Sequence, residues 1–181
     1  MAELDLHYVN ELIAVRRDQH GGGQGAPPIE AGHRIGASIN RSCIVMLSAL
    51  LQTHVEDVFQ DAARRAFPAL AADPAAFTLY WNQMKNWGNP SDSNIGNLFL
   101  RIGVPDVFGG LSWQRTTTAD IKRKLGELNQ IRNRIAHGNR NLTLNGAPYG
   151  LTLAKVESYR NLAASFGQRF SDHVGVLVPA A

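Results

Sequence analysis

The chain has 181 residues, with 18 Lys and Arg against 15 Asp and Glu, and one cysteine. That length suits a single domain, residues 1–181, with a real core; the lone Cys43 excludes an intrachain disulfide and fits a reduced, cytoplasmic setting. Glu3, Asp5 and Glu11 argue against a secretory leader, no apolar run approaches membrane-spanning length, and a net charge of +3 permits an acidic partner without requiring one.

Residues 2–19 read as a first helix, with Leu4, Tyr8, Leu12 and Val15 on one face and Arg16-Arg17 near the C-terminal end, where the helix dipole favours cations. A Gly/Pro-rich connector through residue 27 follows. Its glycines resemble a phosphate-cradling loop only in composition. No Gly-Lys-Ser/Thr ending and no preceding strand accompany them, so a flexible linker is the reading. The core region, 28–178, opens on a long helix over 29–67, whose apolar side runs from Ile35 through Cys43, Leu50 and Phe59 to Ala62 until Pro68 stops it. Glu56-Asp57 on this helix reads as a solvated acidic pair.

A short helix over 75–87 carries Phe77, Tyr80, Trp81, Met84 and Trp87 at unbroken helical spacing, which favours core over a base-stacking platform. Gly88-Asn89-Pro90-Ser91 is a turn, and Ser91 or Asp92 caps a helix with Ile95, Leu98, Phe99 and Ile102. A loop from Gly103 to Trp113 leads to Thr118, the expected cap of the next helix. After that helix, Asn139–Tyr149 is a polar loop with one short strand-like run, Leu142–Leu144. A final helix starts at Thr152 or its neighbour and buries Val156, Tyr159, Phe166, Phe170 and Val174. The sum is an all-α bundle of about five to six helices.

The helix from Thr118 to Gly138 differs from the others. Ile121, Leu125, Leu128, Ile131 and Ile135 make its buried stripe. Asn129, Asn133 and His137 stack on another ridge, four residues apart, beside Arg132 and Ala136. Seven cations lie between Arg115 and Arg140, among them Lys122, Arg123, Lys124, Arg134 and Arg140, opposed only by Asp120 and Glu127. Such a run suits a phosphate-bearing partner; taken alone, a solvated helix face accounts for it equally well. Five residues along a helix rotate a side chain by roughly 140° net and advance it about 7.5 Å. Arg132 and His137 therefore diverge within one regular helix. They converge only if the last turn unwinds near Gly138, or if a second copy of the helix packs across the ridge, where Ala136 allows close approach.

Arg132-Asn133-Arg134-Ile135-Ala136-His137-Gly138 resembles the R-x4-H signature of the HEPN superfamily, the higher eukaryote and prokaryote nucleotide-binding helical domains. Arg132 matches its arginine, Asn133 the polar residue that often follows, and His137 its histidine. Asn40–Leu51 with Glu56-Asp57, Asn94–Gly103 and the last helix, Leu151–Val178, are similar to the RiboL-PSP-HEPN branch, so the resemblance spans roughly residues 30–178. It implies an all-helical homodimer with a composite site, and often a metal-independent endoribonuclease of toxin, defence or RNA-processing systems. It also places the second helix, with Arg41, beside the R-x4-H helix.

Other chemistries find no support in the sequence. The six histidines never pair at i,i+3 or i,i+4, no H-E-x-x-H occurs, and no metal or other cofactor is expected. A G-x-S-x-G elbow is absent. RNA cleavage needs a base for the 2′-hydroxyl, an acid for the leaving 5′-oxygen and a cation at the phosphate; imidazole serves as acid or base near neutrality, and arginine presents a planar fork. His137, Arg132 and Asn133 are thus the catalytic candidates. Lys122, Arg123, Lys124, Arg134, Arg140 and Arg41 are candidates for RNA docking. Two other classes stay open: a module that holds RNA or nucleotide without cutting it, and a dimeric partner or regulator of another enzyme, an antitoxin-linked protein included. Relatives regulated by tyrosine modification carry a tyrosine shortly after the histidine; Gly138-Asn139-Arg140 stands there instead.

Overall fold

In the computed structural model, which describes residues 3–19, 28–30 and 33–179, the helices run in chain order as α1 (His7–Gln19), α2 (Ala37–Ala66), α3 (Pro68–Ala71), α4 (Pro74–Met84), α5 (Asp92–Leu100), α6 (Thr118–Ala136) and α7 (Leu153–Leu177). Two antiparallel hairpins, β1 (Ile29–Glu30) with β2 (His33–Arg34) and β3 (Thr143–Leu144) with β4 (Ala147–Pro148), are the only paired strands among the described residues. The fold is all-α. Among the described residues there are seven helices rather than five or six, because Pro68, which ends α2 as expected, also opens the single turn α3, where a missing N–H costs nothing.

Long helix α2 packs against α1, α6 and α7. It starts at Ala37, not at residue 29. Gly36 sets that boundary, with φ of +75°, and a Cβ there would run into the Arg16 side chain. Ile29–Glu30 and His33–Arg34 pair as strands instead. Arg16, in the last turn of α1 as expected, is only 4 % exposed and lies against this glycine. The first helix also begins later than expected, at His7, whose N–H donates to Asp5 Oδ1 at 2.8 Å. The Gly/Pro-rich connector over 20–27 lies outside the described residues.

α2 and α7 run parallel, tied at three levels. Asn40 Nδ2 donates to Leu151 O at 2.9 Å, His54 Nε2 lies 2.9 Å from Gly167 O, and Arg65 Nε donates to Val178 O at 2.8 Å. Burial lowers the pKa of His54 from its ordinary value, so its neutral ring donates to Gly167 inside the fold. α1 runs antiparallel to α7: Arg17 bonds Glu157, Arg160 bonds Asn10, and Gly167 has no room for a Cβ because Leu4 sits 2.8 Å from where it would be. Between them a run of rings fills the core, Phe59 against Phe99, Phe99 against Phe170, and Phe166 stacked on Phe170 at 4.8 Å. α4 ends at Met84 rather than 87, and the aromatics belong to this core: Phe77 is buried, and Tyr80, Trp81 and, just past the helix, Trp87 pack on its edge. Cys43 is buried too, its thiol pushed up to about 11, as a packing residue rather than a nucleophile.

Glu56 is not part of a solvated pair. It is half-buried and accepts from the Trp87 indole at 3.0 Å and from Gln52 at 3.2 Å, which pins the end of the α4 segment to α2. Among the described residues, no helix is long and apolar enough to cross a membrane.

Candidate RNA-cleaving site at the end of helix α6

Helix α6 buries Ile121, Leu125, Leu128 and Ile131, with Ile135 half-buried at the rim. Its N-cap is Thr117 rather than Thr118. Three threonines in a row offer the same hydroxyl, and Asp120 selects the one three residues before it. Thr117 Oγ1 donates to Asp120 Oδ2 at 2.7 Å, while Asp120 N donates back to Thr117 Oγ1 at 3.2 Å. These bonds, with Arg123 beside them, hold the Asp120 carboxyl below the usual range. Thr118 instead donates to Leu111 O at 2.8 Å and fastens the preceding loop.

The other end carries the candidate chemistry. His137 N–H donates to Asn133 O at 3.0 Å, so helical hydrogen bonding reaches the histidine itself. Gly138 then takes φ of +71°, its N–H donates to Ile135 O, and Asn139 N–H donates to Arg134 O. This pair of bonds is a Schellman cap, and glycine is the residue that adopts its left-handed position without strain. The helix therefore stops just after His137 without unwinding before it. Arg41 braces the stop from α2: its guanidinium donates to the carbonyls of Asn139, at 2.8 Å, and Arg140. The β3–β4 hairpin follows at once, turned by Asn145 and Gly146 with φ of 51° and 82°, the pairing a two-residue type I′ turn requires.

Arg132 Nη1 donates to Asn133 Oδ1 at 3.1 Å, and the same oxygen accepts from Asn89 Nδ2 at 3.1 Å. Arg132 and Asn133 are half-buried, whereas Ala136 and His137 are exposed. The structure thus brings Arg132 and Asn133 together. It leaves His137 without a side-chain hydrogen bond to either of them among the described residues.

The docking candidates divide into two groups. Lys122 lies 3.8 Å from Asp106 and over the Phe108 ring, Arg123 bonds both Asp120 and Glu127, and Lys124 lies over the Tyr159 ring. Their charges are partly met within the chain. Arg134 and Arg140 make no side-chain hydrogen bond or ion pair among the described residues, and both flank His137. Arg41 acts on backbone, as described. Sequence reasoning missed Asn89, which reads only as the Asn of an Asn-Pro turn; Glu127, read as opposing the basic run, does pair with Arg123, and its second oxygen also accepts from the Tyr159 hydroxyl at 3.4 Å. Among the described residues, no three or more His, Cys, Asp or Glu side chains gather in a way that could hold a metal ion.

Neither the characterised proteins nor the solved structures include a significant match to this chain. The RiboL-PSP-HEPN family model matches residues 24–175, which takes in everything from the connector to the last turns of α7 and includes the whole of α6. With that span matched and the helical architecture in place, the chain belongs to the RiboL-PSP-HEPN family.

Proposed function

We propose that the chain is a metal-independent endoribonuclease that works as a homodimer, with Arg132, Asn133 and His137 of two copies forming a composite site. The observation that carries the reading is the regularity of α6 through His137. With no unwinding before Gly138, Arg132 and His137 of one chain point roughly 140° apart around the helix. A second α6 packed across the exposed Ala136–His137 end would bring one chain's histidine to the other's arginine.

The chemistry follows from the groups. One imidazole takes the proton of a 2′-hydroxyl, whose oxygen attacks the adjacent phosphorus. The P–O5′ bond breaks, the leaving oxygen takes a proton from a water that the imidazolium then replenishes, and the products end in a 2′,3′-cyclic phosphate and a 5′-hydroxyl. Arg132 donates its remaining N–H groups to the phosphate oxygens as charge builds there. Arg134 and Arg140, unpaired beside His137, hold neighbouring phosphates. An unchecked activity of this kind damages the cell's own RNA, which suits a toxin or defence effector restrained by an antitoxin or regulatory partner.

The test is incubation of the chain with single-stranded and structured RNA in excess chelator. Cleavage persists, the products carry 2′,3′-cyclic phosphate, and DNA of the same sequence stays intact. Cleavage that returns only on adding a divalent metal sinks the mechanism. Tight RNA binding with the RNA left whole identifies a binding module instead, and a chain without RNA affinity that forms a stable protein complex identifies a regulator.

A further inference from the structure

The turn between α4 and α5 reaches the site from another part of the chain. Gly88 has φ of +106°, and a Cβ there would fall 2.7 Å from Asn94 Nδ2, so only glycine fits. Asn94 Nδ2 donates to Asn89 O at 2.9 Å, Ser91 N–H donates to the same carbonyl at 2.7 Å, and Ser91 Oγ accepts from Asn94 N–H at 3.2 Å. Pro90 is buried and restricts φ. Every one of these bonds uses the Asn89 backbone or its neighbours. None uses the Asn89 side chain, which is free to cross to α6 and donate to Asn133 Oδ1.

An amide oxygen accepts two hydrogen bonds, and Asn89 and Arg132 supply both to Asn133. Flipping the Asn133 amide would set its NH₂ against the Arg132 guanidinium, which can only donate, so its Oδ1 stays toward Arg132 and Asn89 and its Nδ2 faces away from both. We propose that Asn89 is a positioning residue for the cleavage reaction: through Asn133 it fixes Arg132, so that the free edge of the guanidinium and Asn133 Nδ2 meet one phosphate together. This rests on the endoribonuclease reading. A substrate contact by Asn89 itself is not needed; the effect is one of geometry, where a displacement of about 1 Å at a reacting group costs on the order of a hundredfold in rate.

The experiment is single-turnover cleavage alongside equilibrium RNA binding for wild type, Asn89→Ala, Asn133→Ala and the double variant. Asn89→Ala lowers the rate roughly ten- to a hundredfold and leaves affinity within about twofold. In the Asn133→Ala background the same change costs nothing further, since Asn89 then has nothing to hold. A packing role for Asn89 predicts instead the same loss in both backgrounds, and that result overturns the proposal, as does wild-type cleavage by Asn89→Ala. The two readings separate cleanly. An inert wild-type chain removes the nuclease and this inference with it, whereas an active wild type with an equally active Asn89→Ala removes the inference alone.

Discussion

His137→Ala reduces RNA cleavage to background while the protein stays folded. One positioned acid or base contributes roughly 10²–10⁴-fold, and in a homodimer the substitution removes the imidazole of both sites at once, so no intact site remains. The fold does not depend on this side chain. His137 is exposed, and the Schellman cap that ends α6 is built from backbone groups of Arg134, Ile135, Gly138 and Asn139. Thermal unfolding should therefore shift by no more than a surface substitution does, about 0.5 kcal/mol. Cleavage surviving in a folded His137→Ala protein would move the chemistry away from the end of α6.

Arg132→Ala has the second largest effect, and a different signature. A charge at the reacting phosphate is worth more in the transition state than in the ground state. The cleavage rate falls on the order of a hundredfold or more, with RNA affinity nearly unchanged, because Arg134 and Arg140 still bind phosphates. Arg132→Lys restores little: an ammonium keeps the charge, yet cannot hold Asn133 Oδ1 and present a fork to phosphate together. Single-turnover rates beside equilibrium binding at several salt concentrations separate the outcomes. If Arg132→Ala loses only affinity, and the bound complex cuts at the wild-type rate, Arg132 is a docking residue. The basic run nearer the start of α6 has a smaller part in either case, since Arg123 is paired with Asp120 and Glu127.

Much of this arrangement was legible in the amino-acid sequence, because it depends on local periodicity. The buried stripe Ile121–Ile131, the Ser91 cap of α5 and the start of α7 at Thr152 all follow from spacing and cap chemistry over a few residues. The family resemblance added the expectation of α2 beside α6, and the packing of those helices agrees with it. What stayed hidden was set by tertiary contact. Gly36 looks like an ordinary residue near a helix start until Arg16, from α1, fills the space where its Cβ would be. Arg41 carries a free-looking charge in the sequence, and only the folded chain brings it to carbonyls 98 and 99 residues away. Asn89 and Asn133 are 44 residues apart, with no periodicity to connect an Asn-Pro turn to a helix ridge. The exchange of Thr118 for Thr117 is a different case: the capping box with Asp120 was present in the sequence, three residues apart, and distinguishes the two threonines.

The composite site is the central claim, and complementation between two inactive chains tests it most directly. Arg132→Ala and His137→Ala proteins are mixed in equal amounts, allowed to exchange partners, and assayed for RNA cleavage at concentrations where sedimentation shows dimers. Random exchange puts half of the dimers in mixed form, and each mixed dimer holds one site with an intact arginine from one chain and an intact histidine from the other. The mixture then recovers up to roughly a quarter of wild-type activity, while each variant alone remains near background. A mixture no more active than the separate variants, or full wild-type activity in a protein that sediments only as a monomer, would contradict a site shared between two copies of α6.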